Sequence, residues 1–148
     1  MFDDIVKETN GQLQAIIIFD FSEGLPIFYS KQLKDTDPKL NYTLFGDNDI
    51  GVALENFENL KQVSKALDSF GKTTKSGSLQ YCIFMLTNRY LMVYFMKLPD
   101  ITVAICFIAL TDVPIDRLVD LCENKIDQIK DELNNKINKK LKLSIYAL

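Results

Sequence analysis

The chain has 148 residues, a net charge of −3, 47% hydrophobic residues, 6 Gly, 4 Pro and no histidine. That length suits one domain burying roughly two thirds of the surface its unfolded chain exposes, and the composition excludes a disordered or fibrous polypeptide. The acidic balance gives no electrostatic case for nucleic acid, and the missing histidine removes the commonest general base and metal ligand.

The longest apolar runs, 90–96 and 103–110, fall well short of the ~20 residues of a membrane-spanning helix. The start, "MFDDIVKE", is acidic where an export signal is basic. These features predict a cytoplasmic chain without a transmembrane segment. Cys82, Cys106 and Cys122 are widely separated and sit among apolar residues, which suits buried thiols in a reducing compartment better than a disulfide framework or zinc site.

In chain order, residues 2–9 suit a short helix with Phe2, Ile5 and Val6 on one side, broken by Asn10-Gly11. "QLQAIIIFDF" (12–21) is β-branched and short, hence a strand. Ser22-Glu23-Gly24 reads as a hairpin loop, with Gly24 free to take positive φ and Asp20 placed to accept turn amides. Pro26 then opens a second strand, where it suits a strand start or a sheet edge. Residues 34–48 are polar, with Pro38 and Gly46, and read as a long connection folded back by Leu40, Tyr42, Leu44 and Phe45. Asp47 or Asn48 is a fair cap for a helix over 49–71, in which Ile50, Ala53, Leu54, Phe57, Leu60, Val63, Leu67 and Phe70 recur at helical spacing and Gly71 ends the element.

Three strands follow, 79–86, 90–98 and 101–110, joined by "TNR" and "PD", as an antiparallel meander. They barely alternate, which predicts a sheet covered on both faces. The last helix is expected from about Pro114 to Lys140, with Ile115, Leu118, Cys122, Ile126, Ile129, Leu133 and Ile137 in one stripe. Residues 135–148 read as a basic, then apolar tail. The predicted fold class is α+β, a three-layer α/β/α arrangement around a central five-stranded antiparallel sheet. The second strand should be one edge, guarded by Pro26, Lys31 and Lys34; the strand at 79–86, with neither proline nor charge, should be an unprotected edge that asks for a partner.

Chemistry is sparse. No phosphate-cradling glycine motif appears, and Gly71-Lys72-Thr73 follows a helix instead of opening one. Asp20 and Glu23 flank the hairpin and could form a carboxylate pair, but the preferred reading has Asp20 accepting turn amides and Glu23 solvated. The local pairs at Asp3, Asp4, Asp47 and Asp49 lack the pattern of a calcium loop. Arg89, in the "TNR" turn, reads as an exposed surface residue. The reading is a chain without catalysis, cofactor or metal.

The order helix-strand-strand-helix-strand-strand-strand-helix resembles the roadblock (dynein light-chain) domain. So does the acid ending the first strand, Asp20, followed by Ser22, Glu23 and Gly24-Leu25-Pro26-Ile27. The resemblance covers about 2–134 and departs from the family in a short first helix and a long, apolar connection at 34–48. It implies a non-catalytic scaffold that dimerises through the middle helix and the edge strand after it and binds a small Ras-like GTPase. Carried to this chain, the interface would use Asn56, Asn59, Val63, Leu79, Tyr81 and Ile83, with Phe57 and Leu60 turned to the sheet and Asp20, Gly24 and Pro26 shaping the hairpin. The partner would be a second copy, giving a homodimer, or a paralogous roadblock chain. Two alternatives remain: a longin-type vesicle-trafficking subunit binding adaptor or SNARE-like proteins, and a small-ligand sensor with a pocket between sheet and helices.

Overall fold

The computed structural model describes residues 2–22, 25–45 and 53–146, of which 25–26, 43–45, 53–57 and 137–146 are described by their backbone alone. The chain divides into two compact units, Met1–Asp112 and Val113–Leu148. The first holds α1 (Phe2–Lys7), β1 (Leu13–Asp20), β2 (Leu25–Tyr29), α2 (Leu33–Thr36), α3 (Pro38–Phe45), α4 (Ala53–Thr73), β3 (Tyr81–Met85), β4 (Arg89–Lys97) and β5 (Thr102–Leu110). The second is α5 (Ile115–Tyr146) and the residues leading into it. The strands form one antiparallel sheet in the order β2-β1-β5-β4-β3. The expected meander and both expected edges are therefore present.

Residues 34–48, expected as a plain connection, contain most of α2 and all of α3. Asp37 caps α3, its Oδ1 accepting the Leu40 amide at 3.2 Å, and Pro38 takes the first helical position, where a missing N–H costs nothing. Just ahead of α2, Asp3 Oδ1 accepts the amides of Lys31 (2.5 Å) and Gln32 (3.1 Å), fastening α1 to the start of α2. After α1 the chain turns through Asn10 (φ 53°) and Gly11 (φ 85°), the left-handed pair its sequence suggested.

One face of the sheet carries Ala15, Ile17, Phe19, Val93, Ala104, Cys106 and Ile108, packed with Leu33 of α2, Leu40 of α3 and Leu60 of α4. The other face takes α1, whose Phe2 ring meets Phe28 of β2 at 5.9 Å. Both faces of β5 and nearly all of β1 are buried, as their unbroken apolar sequence requires. Coverage then thins toward β3: only Met92 and Val93 of β4 are fully buried, and no residue of β3 is. The expectation of a sheet covered throughout is corrected there, because an edge strand lacks a neighbour on one side.

The end of α4 also differs from expectation. The helix continues two residues past Gly71, and Lys75 (φ 59°) closes it in the left-handed conformation. Its amide donates to the Lys72 carbonyl at 3.2 Å, while the Ser76 amide donates to the Gly71 carbonyl at 2.7 Å. Gly71 is needed for space: a Cβ there would collide with the Gly77 carbonyl oxygen. Gly71→Ala should therefore lower stability by about 1–3 kcal/mol, whereas Lys75→Gly should raise it by about 0.5–1 kcal/mol. Urea unfolding of both variants checks the opposite signs.

Arg89, expected at the surface, opens β4 half-buried. Its guanidinium donates to Asp37 Oδ2 at 2.7 Å and to Gln14 Oε1 at 3.3 Å, tying α3 and β1 to β4. The register of β1 on β5 shifts between Leu13 and Ala15, so Gln14 lies in the irregular stretch. The Leu40 amide first, then Arg89, hold the Asp37 carboxyl below its ordinary value of 3.8. A depressed folded value means the unfolded chain binds more protons as acid is added. The stabilisation is therefore complete above the ordinary value and is lost as pH falls through the folded one. Asp37→Asn should cost about 1–2 kcal/mol at neutral pH and flatten the decline in stability below about pH 4. Unfolding curves across pH test both parts.

In the second unit, Leu118, Cys122, Ile129 and Leu133 of the predicted stripe are fully buried on α5, whereas Ile126 is half-buried and Ile115, at the first turn, is exposed. The helix runs to Tyr146, past the expected end near Lys140, so most of the presumed tail is helical. Ile137 lies among residues described by backbone alone. Among the described residues, no helix is long and apolar enough to cross a membrane.

Candidate protein interface

The outer edge of β3 and the outward side of α4 form the candidate site. β3 pairs with β4 along its whole length, Tyr81 opposite Tyr94, Ile83 opposite Met92 and Met85 opposite Tyr90. It lies at the end of the strand order, so among the described residues no strand lies beside its other backbone edge. Strand alternation puts Tyr81, Ile83 and Met85 on one face, with Cys82 and Phe84 on the other, where Phe84 packs against the core. The Tyr81 ring meets Tyr94 at 5.1 Å, and Tyr94 meets Phe107 edge-on at 6.3 Å, so the edge tyrosine stands on a buried aromatic row.

The second half of α4 turns an apolar stripe outward. Val63, Leu67 and Phe70 are 47%, 45% and 66% exposed, while Ser64 is fully buried and Leu60 packs on the sheet. The sequence places all of these apolar residues in one stripe, yet the small residues Ser64 and Gly71 occupy the inner line and let the helix lie close. An amphipathic helix normally buries its apolar side; here part of it is left outside. Asp68 joins the two elements: its Oδ1 accepts the Leu79 amide at 2.8 Å, just before β3 begins. That hydrogen bond, then Lys72 at 2.9 Å and the charge of Lys97, hold the Asp68 carboxyl below its ordinary value.

Of the residues proposed from sequence, Asn59 and Val63 lie exposed on α4, Tyr81 is 41% exposed, and Ile83 is half-buried. Leu79 is half-buried beside Asp68, ahead of the strand. Asn56 and Phe57 lie on α4 in the part described by backbone alone. At the hairpin, Asp20 Oδ1 accepts the Ser22 amide at 2.9 Å and its hydroxyl at 2.8 Å. Glu23 and Gly24 lie outside the described residues, as do Asp47, Asn48, Asp49 and Ile50, and Pro26 is placed by its backbone, opposite Phe19. Leu67, Phe70, Met85 and Leu86 are exposed apolar residues that the sequence reading did not assign to the interface. The signal for the first two was the small-residue line through Ser64 and Gly71.

Elsewhere, burial pushes the Cys106 thiol up to about 12 and raises that of Cys82. Among the described residues, no three His, Cys, Asp or Glu side chains gather as a metal site. What this surface offers is recognition: unpaired strand backbone for hydrogen bonding and exposed apolar side chains for burial.

No family model and no curated protein matches the sequence. Solved structures do resemble it. Myxococcus xanthus MglB superimposes with a TM-score of 0.63 at 10% identity, covering 90% of this chain and 92% of that one. The gliding protein MglB from Thermus thermophilus gives 0.58 at 10% identity over 82% of this chain and 79% of that one. An MglB in a tetrameric arrangement gives the same values, 0.58 and 10%, over 82% and 79%. At such identity the likeness speaks for the fold alone, and it agrees with the sheet order and the helices between strands: this chain folds as a roadblock-like domain.

Proposed function

We propose that the chain is a non-catalytic, cytoplasmic, homodimeric scaffold or regulator that binds a small Ras-like GTPase. The observation that carries the reading is the open β3 edge beside the exposed Val63, Leu67 and Phe70 of α4. Two copies related by a two-fold axis would join their β3 edges into one continuous sheet and bury both helical stripes. The residues 1–148 then act as one roadblock domain. Self-association has a parallel in the tetrameric arrangement of an MglB, and the GTPase rests on the resemblance to roadblock domains.

The test is light scattering of the purified chain, alone and with a panel of Ras-like GTPases loaded with GDP or a non-hydrolysable GTP analogue. The expected result is a mass twice 17.0 kDa that rises further with at least one GTPase. A persistent monomer would remove the homodimer, and a dimer indifferent to every GTPase of its own organism would remove the regulator.

A further inference from the structure

The first unit also carries a cleft of about 490 Å³, bounded by the end of β1, the last turns of α4, residues 78–80 and the adjoining ends of β4 and β5. Its volume lies in the range of roughly 300–1,000 Å³ typical of small-molecule sites. Phe21 and Phe95 give it an apolar wall, their rings edge to face at 5.2 Å. Lys72 and Lys97 line it, and Lys65 adds a third ammonium 5.9 Å from the centroid of Phe21. Asp68, also in the lining, is already engaged by Lys72 and the Leu79 amide. Positive charge is therefore in excess. The end of α4 does little to offset it, because the carbonyls of Phe70, Gly71 and Lys72 already accept amides from residues 74–77. A cation would meet ammonium groups here, and a wholly apolar ligand would leave them unused.

We propose that this cleft binds a small organic anion with a flat apolar body and one carboxylate or phosphate, its ring against Phe21 and Phe95 and its charge at Lys72 and Lys97. Thr102, also in the lining, supplies a hydroxyl on the sheet side. The cleft shares Asp68 and Leu79 with the candidate interface, but the proposal does not rest on the dimer or GTPase reading and is tested on the full chain alone.

The experiment is a titration of the labelled chain, followed by its amide NMR signals, with phenyl phosphate, benzoate, inorganic phosphate and benzyl alcohol. Saturating shifts of the Leu79, Gln80, Phe95, Lys97 and Thr102 amides with phenyl phosphate or benzoate are expected, and the better of the two identifies the anionic group. Inorganic phosphate and benzyl alcohol should not saturate over the same range. Lys72→Gln and Lys97→Gln, both at exposed positions, should each weaken binding by about three- to fivefold without disturbing signals elsewhere. Absence of saturable shifts at these amides, equal binding of either control compound, or unchanged affinity in both lysine variants would overturn the proposal.

Discussion

Replacing Leu67 and Phe70 with aspartate is expected to convert a dimer of the chain into a 17.0 kDa monomer that remains folded. Within the single chain Phe70 is 66% and Leu67 45% exposed, so their replacement costs less folding energy than a core substitution. In the proposed dimer each would be desolvated, and the introduced carboxylates would face their symmetry mates across the two-fold axis. Central apolar contacts of this kind are worth about 2 kcal/mol or more apiece when truncated, which is on the order of a thirtyfold change in dissociation constant for one residue. Charge repulsion in a desolvated contact adds to that. Light scattering over a dilution series, with circular dichroism on the same samples, separates the two effects. A double variant that stays dimeric would move the interface away from α4. One that unfolds would show that the stripe belongs to the core.

The second large effect concerns the sheet centre. Phe107 is fully buried in β5, paired with Ile16 on one side and Met92 on the other. Phe107→Ala removes a ring from a close-packed interior and leaves a cavity, a loss of about 3–5 kcal/mol. Against a total stability of about 5–15 kcal/mol, that leaves the chain marginal and lowers its urea midpoint by at least about 1 M. Leu110→Ala, three residues on and 38% exposed, should change the midpoint far less. Equal losses in the two variants would mean that burial does not govern stability along β5.

Much of the fold was legible because the strands announce themselves. Runs such as Ile16-Ile17-Ile18 and Val103–Leu110 are β-branched or apolar without interruption, and turn residues separate the last three strands. The unguarded edge also followed from composition, since residues 79–86 carry neither proline nor charge. What escaped depended on contacts distant in sequence. The helices α2 and α3 are short for autonomous folding and are anchored by Leu33 in the core, by Leu40 packed against it and by the hydrogen bonds of Asp3 to Lys31 and Gln32. Arg89 looked like a lone turn residue because its partner, Asp37, lies across the fold. For α4, periodicity grouped Leu60, Val63, Leu67 and Phe70 but left open which side of the group meets the sheet. Ser64 and Gly71 decide that, through a lack of bulk that a hydrophobic pattern does not register.

The sheet order carries a consequence for how the molecule comes into being. β5 is the last strand to be synthesised and the middle one in space. A ribosome that has delivered residues up to Asp100 has produced two hairpins, β1–β2 and β3–β4, with no strand to join them. The buried isoleucines of β1 wait for partners such as Cys106 and Phe107, most of a chain length away. Folding is thereby made late and all-or-none, with a high contact order and a slow search. An arrested or truncated chain would expose a sticky hairpin in the interval, and would depend on chaperone cover until β5 closes the gap.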